Sequence, residues 1–577
     1  MSRPDPDSSP RHASPNARRT EPAGTPLGDA FHVYDTTLRD GAQREGISYS
    51  VADKLAVARH LDALGVGFIE GGWPGALPKD TEFFARAAAG ELELRHAALV
   101  AFGATRKAGV RAEQDGQVRA LLDSGAPVVT LVAKSDRRHI ERALRTDVAE
   151  NCAMVTDTVA LLRAEGRRVF LDAEHFFDGY RFDPDTALRV LDAAMTAGAD
   201  VAVLCDTNGG MLPLRLAEVV GEVAERTGFR LGIHCQDDTG CAVANSLAAV
   251  QAGASHVQCT ANGYGERAGN ADLFAVLGNL VTKLEMPVLP DGAFAELTRT
   301  SHALAEIANI APDTHQAYVG ASAFAHKAGL HASAIKVDPE LYNHMDPTVV
   351  GNGQRVLVTE MAGRASVELK GAEFGLDLAG HPAAVSSVVA TVKEREATGW
   401  SFEAADASLE LLMRSAVGGG GTPEAPFTLE SYRVIVERRL DGAVVAEATV
   451  KVIVDGERVI ATKEGNGPIN ALDAALRAAL APSCPWLDGV ELADFKVRIL
   501  SPRQSSGHGT DAVTRVLLES ADRSDELASS WTTVGVHGNV VEASWLAMVD
   551  ALTYASLRHR VPARPALSPA DPVAAGR

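Results

Sequence analysis

Short apolar runs alternate with amphipathic stretches from residue 31 to about residue 262. Eight runs carry this alternation, namely FHVYDTTL, GVGFIEGG, HAALVAFG, PVVTLVAK, RRVFLDAE, ADVAVLCD, RLGIHCQD and ASHVQCTA. Between them, apolar residues recur at helical spacing, as in VADKLAVARHLDALG. Strands that alternate with helices form a parallel sheet, and eight such units over roughly 250 residues are typical of a (β/α)₈ barrel. The pattern predicts an α/β fold with a TIM barrel over residues 31–290; an open doubly wound sheet is the alternative.

The pattern changes on both sides of this region. Residues 291–415 have helical periodicity around a loop-rich centre, which predicts a helical subdomain or lid. The glycine- and proline-rich run at 416–426 is typical of a linker, and strands and helices return over 427–560. Residues 1–30 and 561–577 are rich in Pro, Ser, Ala and Arg, which predicts disordered tails.

The C-terminal region contains an internal resemblance. ERVIATKEGNGPINALDAALRAAL and SWTTVGVHGNVVEASWLAMVDAL both read as a strand, a Gly-Asn pair and an amphipathic helix. The pairs are Gly465-Asn466 and Gly538-Asn539. Because helix N-termini suit a carboxylate, these four residues are candidates for binding the carboxylate of a small effector between two related halves. A plain dimerisation module is the alternative.

Composition restricts the classes of function. The 577-residue chain has 46% hydrophobic residues and a formal net charge of −20, which argues against nucleic acid or an anionic membrane as a partner. Its six cysteines form no CxxC pair, as expected of a protein in the reducing cytoplasm. No secretory signal and no long apolar run is evident, so we predict a cytoplasmic protein without a membrane span.

Polar residues collect where the predicted strands end, which is where barrel enzymes carry their chemistry. Arg39 and Asp40 follow the first strand in DTTLRDG. In a site that handles carboxylic acids, Asp40 can ligate a cation, while Arg39 holds a carboxylate or an oxyanion with its planar fork.

The seventh strand ends in GIHCQDDTG, where His234 and Gln236 share one face. His-x-His at this place would indicate two imidazole ligands, whereas His-x-Gln leaves a weakened site, a site for another metal, or no metal site. An amide oxygen is a hard, neutral ligand that Mg²⁺ or Mn²⁺ accepts. Asn262, one strand further, is a candidate for an additional oxygen ligand.

Other candidates follow later strands. Glu174 follows the fifth strand and can act in proton transfer, and Thr207 follows the sixth and can hydrogen-bond a carboxylate. His331 and Tyr342 lie beyond the barrel, so they act in it only if the helical subdomain folds over a barrel mouth, its own or that of a neighbouring subunit.

Seven segments in order resemble the citramalate synthases, within the 2-isopropylmalate synthase/homocitrate synthase group. They are DTTLRDGAQREGIS, FIEGGWPGALPKDTEFF, DAEHFFDGY, LCDTNGG, IHCQDDTGCAVANS, NGYGERAGNADL and FAHKAGLHASA. The resemblance spans about residues 31–560, and it implies a metal-dependent barrel enzyme with a C-terminal domain of the LeuA dimer type. The implied reaction is a Claisen condensation of acetyl-CoA with an α-keto acid, followed by thioester hydrolysis.

The resemblance also implies roles for individual residues. Asp40 matches a metal ligand beside Arg39, and Thr207 matches the contact to the keto acid's carboxylate. Glu174 and His331 match an acid/base pair, with His331 favoured as the base, and Tyr342 matches a tyrosine of the subdomain. Where the group usually has His-x-His-Asn-Asp, this chain has His-Cys-Gln-Asp-Asp. This change favours Mg²⁺ or Mn²⁺ over Zn²⁺.

The sequence indicates the substrate and the effector less directly than it indicates the site residues. Trp73, after the second strand, can fill the volume that a larger keto acid would need, and EGGWPG resembles the pyruvate-specific branch. We therefore expect pyruvate as substrate, (R)-citramalate as product, isoleucine as feedback inhibitor and a homodimer. The alternatives are isopropylmalate or homocitrate synthesis, a carbon–carbon lyase on the same barrel, and a non-catalytic amino-acid sensor.

Overall fold

The computed structural model describes residues 28–378, 380–418, 425–500, 512–524 and 530–560. Most of the two predicted tails and residues 419–424 of the predicted linker lie outside these ranges. The chain divides into two compact units. The first extends to Phe324 and includes Asn343–Gln354; the second comprises Ala325–Tyr342 and everything from Arg355 onward.

Eight parallel strands close into a barrel in the first unit, in the order β1 to β8. They are β1 His32–Asp35, β2 Phe68–Gly72, β3 Ala98–Ala104, β4 Val128–Lys134, β5 Arg168–Glu174, β6 Val201–Asp206, β7 Leu231–Cys235 and β8 His256–Cys259. Register pairs Tyr34 with both Phe68 and Gln258, so β1 joins the two ends of the sheet. Each strand coincides with one of the eight apolar runs, which confirms the predicted barrel and excludes the open sheet.

Helices cover the outside of the barrel. They are α1 Val51–Leu64, α2 Pro78–Arg86, α3 Gly116–Asp123, α4 Arg137–Arg142, α5 Val148–Ala164, α6 Phe176–Phe182, α7 Pro184–Thr196, α8 Pro213–Thr227, α9 Ala242–Gln251, α10 Leu273–Thr282 and α11 Leu297–Ala308. The first of them shows why the sequence begins and ends a helix there: Ser50 and Asp53 form a capping box, and Gly65 ends the helix at φ 91°. A layer that includes Tyr34, Phe68 and Phe170 fills the barrel interior, so the chemistry is confined to its rim.

The second unit contains the short parallel strands β9 Ala325–His326 and β10 Arg355–Val356. Its helices α12 Gly329–Val337, α13 Arg364–Glu373, α14 Pro382–Ala397 and α15 Asp406–Val417 are followed by two β-β-β-α halves. The first half is β11 Thr428–Arg438, β12 Val444–Val454, β13 Glu457–Gly465 and α16 Pro468–Leu480. The second is β14 Val490–Leu500, β15 Val513–Asp522, β16 Ser530–His537 and α17 Val540–Arg560. Both sheets are antiparallel meanders, so the sequence resemblance reflects a repeated fold.

The segment 291–415, predicted as one helical subdomain, is divided between the two units. α11 packs against α1 of the barrel, since its buried Leu297, Leu304 and Ala308 belong to the barrel's hydrophobic core. The helices from α12 onward belong to the second unit. Helical periodicity alone does not distinguish a helix of the barrel's outer layer from one of a separate unit.

Within the described residues, one helix is long and apolar enough to cross a membrane by length and composition, at Val540–His559 with a mean hydropathy of 1.2. It is α17, and 56% of this stretch is buried. Ala543, Trp545 and Met548 lie in the hydrophobic core of the C-terminal domain. These are the properties of a core helix.

Candidate active site

A cavity of about 590 Å³ lies at the rim where the barrel strands end. Its walls combine acidic, basic and apolar side chains. Those used below are Arg39, Asp40, Trp73, Phe102, Lys134, Glu174, Thr207 and Gln236. Because the strands are parallel, their last residues meet at this rim, and sequence-predicted residues that follow five of the strands line the cavity.

Arg39 and Asp40 form a fixed pair at the floor of the cavity. Arg39 donates from Nη1 to Oδ2 of Asp40 over 2.8 Å and from Nε to Oε2 of the buried Glu70 over 2.6 Å. Its guanidinium lies 3.8 Å above the centroid of the Phe102 ring. Burial raises the pKa of Asp40, but the Arg39 guanidinium and the hydrogen bond from Asn270 outweigh it, so this pKa lies below its ordinary value. Asp40 is therefore a carboxylate, as the prediction requires.

His234 lies beside Asp40, and an oxygen atom faces each of its ring nitrogens. Its Nδ1 lies 2.6 Å from Oε1 of Gln258, and its Nε2 lies 2.9 Å from Oδ1 of Asn270. The same Nε2 lies 3.8 Å from Oδ2 of Asp40. Asn270 in turn donates from Nδ2 to Oδ1 of Asp40 over 2.8 Å. Asp40, His234 and Asn270 thus form one buried group.

Asn262, predicted as a metal ligand, does not belong to this group. Its Oδ1 accepts from Oγ of Ser301 and Nε2 of Gln316, and its Nδ2 donates to the hydroxyl of Tyr264. The residue has φ 54°, a left-handed conformation in which this amide is bonded toward α11. The structure therefore does not bring Asn262 together with Asp40 and His234.

Asn270 takes the place that was predicted for Asn262, because the loop after β8 folds back on the end of β7. Asp237 N donates to Gly269 O, and Ala271 N donates to Cys235 O, so Asn270 forms an isolated antiparallel bridge with Gln236. The reversal depends on glycine: a Cβ on Gly269, at φ 97°, would lie 2.0 Å from Gly263 O. Within the segment NGYGERAGN, the last asparagine therefore reaches the site and the first does not.

The donor atoms of this group fit a hard divalent cation. Oε1 of Gln236 is buried and has no hydrogen-bond partner among the described residues, although a buried amide oxygen normally has one. With one carboxylate, one imidazole and two amide oxygens, Asp40, His234, Gln236 and Asn270 suit Mg²⁺ or Mn²⁺ better than Zn²⁺. Among the residues that the structure describes, no three His, Cys, Asp or Glu side chains form a metal-binding group, so a cation bound here would also need the amide oxygens as ligands.

Glu174 and Thr207 lie on the adjacent wall. Glu174 forms an ion pair with Lys134, its register partner on β4. Oγ1 of Thr207 accepts from the backbone N–H of His175 over 2.8 Å, so the hydroxyl hydrogen is left to donate. His175 has φ 59°, and this left-handed turn directly follows Glu174 at the end of β5.

Trp73 forms part of the cavity wall beside Phe102. The two rings meet edge to face with centroids 5.2 Å apart, and Nε1 of Trp73 donates to Oε1 of Gln117 over 2.7 Å. Its backbone N–H donates to Asp80, which forms a buried ion pair with Lys54. These contacts hold the indole in one orientation in the cavity wall.

His331 and Tyr342 lie in the second unit. Their rings stack with centroids 4.1 Å apart, and the Tyr342 side chain is exposed on this unit. His331 lies on α12, and His326 approaches both rings. Their predicted roles in the chemistry remain predictions.

Of the four candidate effector residues, one lines a cavity and the other three do not. Asn466 lines a cavity of about 340 Å³ between the two β-β-β-α halves, whose walls come from α16, β14, β15 and α17. Asn539 instead caps α17, since its Oδ1 accepts from the N–H groups of Val541 and Glu542. Gly465 packs against the backbone of Ala471 at the start of α16, and a Cβ on Gly538 would meet no atom within 4 Å. The cavity itself is mostly apolar, with Asn470, Asp473 and Arg477 at one side.

Sequence reasoning missed Asn270, Gln258 and Lys134 as members of the site. Lys134 was visible as the last residue of a strand. Gln258 is an inward-facing polar residue inside an otherwise apolar strand, HVQC, which is a signal that it bonds to another buried polar group. Nothing in the sequence pattern indicated Asn270, because its position depends on how the loop after β8 folds back.

Comparisons with known families and proteins agree with this fold. The HMGL-like family model matches residues 30–304, the homocitrate synthase post-HMGL domain-like model matches 318–399, and the LeuA allosteric (dimerisation) domain model matches 403–556. The chain is thus an HMGL-like barrel enzyme with a LeuA-type C-terminal domain.

Individual relatives place the chain in a narrower family within this class of enzymes. The chain is 62% identical to the (R)-citramalate synthase of Streptomyces coelicolor over 93% of its own length and 98% of the relative's. It is 47% identical to the (R)-citramalate synthase of Synechocystis over 90% and 95%. Identity to a probable 2-isopropylmalate synthase of Methanopyrus kandleri is 32% over 92% and 100%. The chain belongs to the citramalate synthase family and is an acyltransferase.

Proposed function

We propose that this enzyme condenses acetyl-CoA with pyruvate and hydrolyses the thioester, giving (R)-citramalate and free CoA. The observation that carries the proposal is that Arg39, Asp40 and Gln236 line one cavity, while the buried His234 and Asn270 lie directly against Asp40. A guanidinium beside a hard cation site suits a substrate that has a carboxylate next to a carbonyl.

We assign Asp40, His234, Gln236 and Asn270 to a divalent cation, Mg²⁺ or Mn²⁺. When bound, the cation would orient the keto acid and polarise its carbonyl. The Oε1 of Gln236, which is buried and has no hydrogen-bond partner among the described residues, supports direct ligation by this residue. Asn270 replaces Asn262 in the set predicted from the sequence.

The remaining side chains hold and orient the reactants. Arg39 is anchored by Glu70, Asp40 and the Phe102 ring, so its free N–H groups are directed without loss of side-chain entropy on binding. The free hydrogen of the Thr207 hydroxyl suits the substrate carboxylate. Glu174, paired with Lys134, is suited to accept a hydrogen bond or proton. By family resemblance, His331 removes the methyl proton of the thioester and Tyr342 assists.

The preference for pyruvate rests on the cavity wall. The fixed Trp73 indole and the Phe102 ring occupy space that the branched chain of 2-oxoisovalerate would need. A steric wall of this kind discriminates by about 1–3 kcal/mol per methylene. Measuring CoA thiol release with pyruvate, 2-oxobutyrate, 2-oxoisovalerate and 2-oxoglutarate tests the assignment. The highest kcat/KM is expected for pyruvate, and a clear preference for 2-oxoisovalerate would overturn it.

Regulation by isoleucine is proposed for the C-terminal domain. The cavity between its two halves joins an apolar wall, with Leu518, Met548 and Leu552, to the ion pair of Asp473 and Arg477. This combination suits an aliphatic amino acid, whose ammonium and carboxylate need polar partners and whose side chain needs an apolar one. The match to the LeuA dimerisation model supports a homodimer, and we propose a cytoplasmic enzyme of isoleucine biosynthesis.

A further inference from the structure

The imidazole of His234 is the single nitrogen donor in the proposed cation site, so its orientation and tautomer decide whether the site works. A neutral imidazole carries its proton on one nitrogen and presents a lone pair at the other. Only the tautomer with the proton on Nδ1 presents a lone pair at Nε2, the nitrogen that faces Asn270 and Asp40.

A buried chain of hydrogen bonds determines this tautomer. Gln258 donates from Nε2 to Oδ1 of Asp172 over 2.8 Å. Its amide oxygen then points the other way and lies 2.6 Å from Nδ1 of His234. An amide oxygen accepts but does not donate, so Nδ1 must carry the hydrogen. All three side chains are buried, with exposures of 3% for Asp172, 1% for Gln258 and 6% for His234, so water does not compete for these atoms.

The other ring nitrogen of His234 also faces an amide oxygen, that of Asn270. Nδ2 of Asn270 donates to Oδ1 of Asp40 and to Tyr264 O, which turns Oδ1 of Asn270 toward Nε2 of His234. With Nδ1–H bonded to Gln258, Nε2 and Oδ1 of Asn270 are two acceptor atoms 2.9 Å apart. A cation bound by both atoms would accept their two lone pairs and remove the repulsion between them.

We infer that Gln258, oriented by Asp172, is a positioning residue that presents Nε2 of His234 to the divalent cation. The inference rests on the proposed cation site. Partners of this kind typically change metal affinity about 10–100-fold when they are removed. The tautomer of His234 matters more in this chain than in a site with two imidazole ligands, because Gln236 supplies an amide oxygen in place of the second imidazole.

The test is Mn²⁺ binding to the full-length protein after removal of metal by a chelator. Isothermal calorimetry gives Kd, and electron spin-echo spectroscopy of the bound Mn²⁺ detects a coordinated imidazole nitrogen. Gln258→Met should weaken binding about 10–100-fold and remove the nitrogen signal. Gln258→Glu, which keeps an oxygen that accepts from Nδ1 and can share a proton with Asp172, should retain the signal and bind within about tenfold of wild type.

A matched control is Gln316→Met, which removes an amide bonded to Asn262 and Asp272, away from the cation group. It should leave both readouts unchanged. If Gln258→Met binds Mn²⁺ as tightly as wild type with the same nitrogen signal, the role of Gln258 is overturned while the cation site stands. A wild-type protein that binds no Mn²⁺ overturns the cation site and this inference together.

Discussion

Asn270 donates from Nδ2 to Oδ1 of Asp40 over 2.8 Å, which joins two residues 230 positions apart in the chain. The bond connects the loop after β8 to the turn after β1, the two strands that close the barrel. Closure of the sheet and assembly of the proposed cation site therefore depend on the same pair of neighbouring strands, β1 and β8.

The two asparagines of this loop should behave differently. Asn270→Ala removes a proposed ligand and the partner of Asp40, so we expect a loss of at least about tenfold in both Mn²⁺ affinity and kcat/KM for pyruvate. Asn262→Gly removes the other amide but suits the left-handed backbone at that position. It should lower stability and leave Mn²⁺ affinity close to wild type. Equal losses of affinity in both variants would contradict the assignment.

Exchange of Gln236 for histidine should change which metal the enzyme prefers. Imidazole is a better ligand for Zn²⁺ than an amide oxygen is, so Gln236→His should raise the Zn²⁺ to Mg²⁺ affinity ratio by at least about tenfold. Gln236→Leu, which has no donor, should weaken binding of both metals. Competition titrations on metal-free protein give the ratio. If Gln236→Leu binds Mg²⁺ like wild type, Gln236 is not a ligand.

Removal of the Trp73 indole should relax the choice of keto acid. Trp73→Leu opens space beside Phe102, so kcat/KM for 2-oxoisovalerate relative to pyruvate should rise by about 10–100-fold, or about 1–3 kcal/mol. Initial rates of CoA release with both keto acids measure this ratio. Gln117→Leu is the control, because it removes the partner of Nε1 and leaves the indole present. An unchanged ratio in Trp73→Leu would contradict a steric role.

The effector prediction separates two asparagines that the sequence treats alike. Asn466→Ala alters the wall of the C-terminal cavity, so the isoleucine concentration for half-inhibition should rise severalfold. Asn539→Ala removes the cap of α17, which should reduce stability by about 0.5–2 kcal/mol and leave inhibition unchanged. Steady-state inhibition and urea unfolding measure the two effects. Inhibition lost in Asn539→Ala alone would place the effector elsewhere.

Asp172 should make stability depend on pH. Burial, with Glu70 nearby, raises the pKa of Asp172 from 3.8 to about 7 in the folded protein. Because the pKa is raised, the folded state holds a proton that the unfolded chain loses, and stability falls as pH rises from about 4 to about 7. At about 1.4 kcal/mol per pH unit, Asp172→Asn should reduce the stability difference between about pH 5 and about pH 8 by about 2–3 kcal/mol. Urea unfolding with a chelator present measures it, and an unchanged difference would contradict the pKa.

The sequence predicted the barrel because each strand is a separate apolar run with its own helix. It also predicted Arg39, Asp40, His234 and Gln236, since residues at strand ends need only the strand order to be placed. It did not distinguish Asn262 from Asn270, because a residue inside a reversing loop is placed by glycine conformations and by backbone pairing between distant segments. Alternation of elements likewise does not show that α11 packs on the barrel rather than with α12.

The loop from Thr260 to Asp272 has a consequence for comparing genomes. Its reversal is closed by Gly269 lying against Gly263, with no room for another atom between them. An inserted or deleted residue would turn Asn270 away from Asp40 and reverse the face it presents to Gln236. Loop length is thus a simple criterion for selecting homologous barrels that can keep this arrangement.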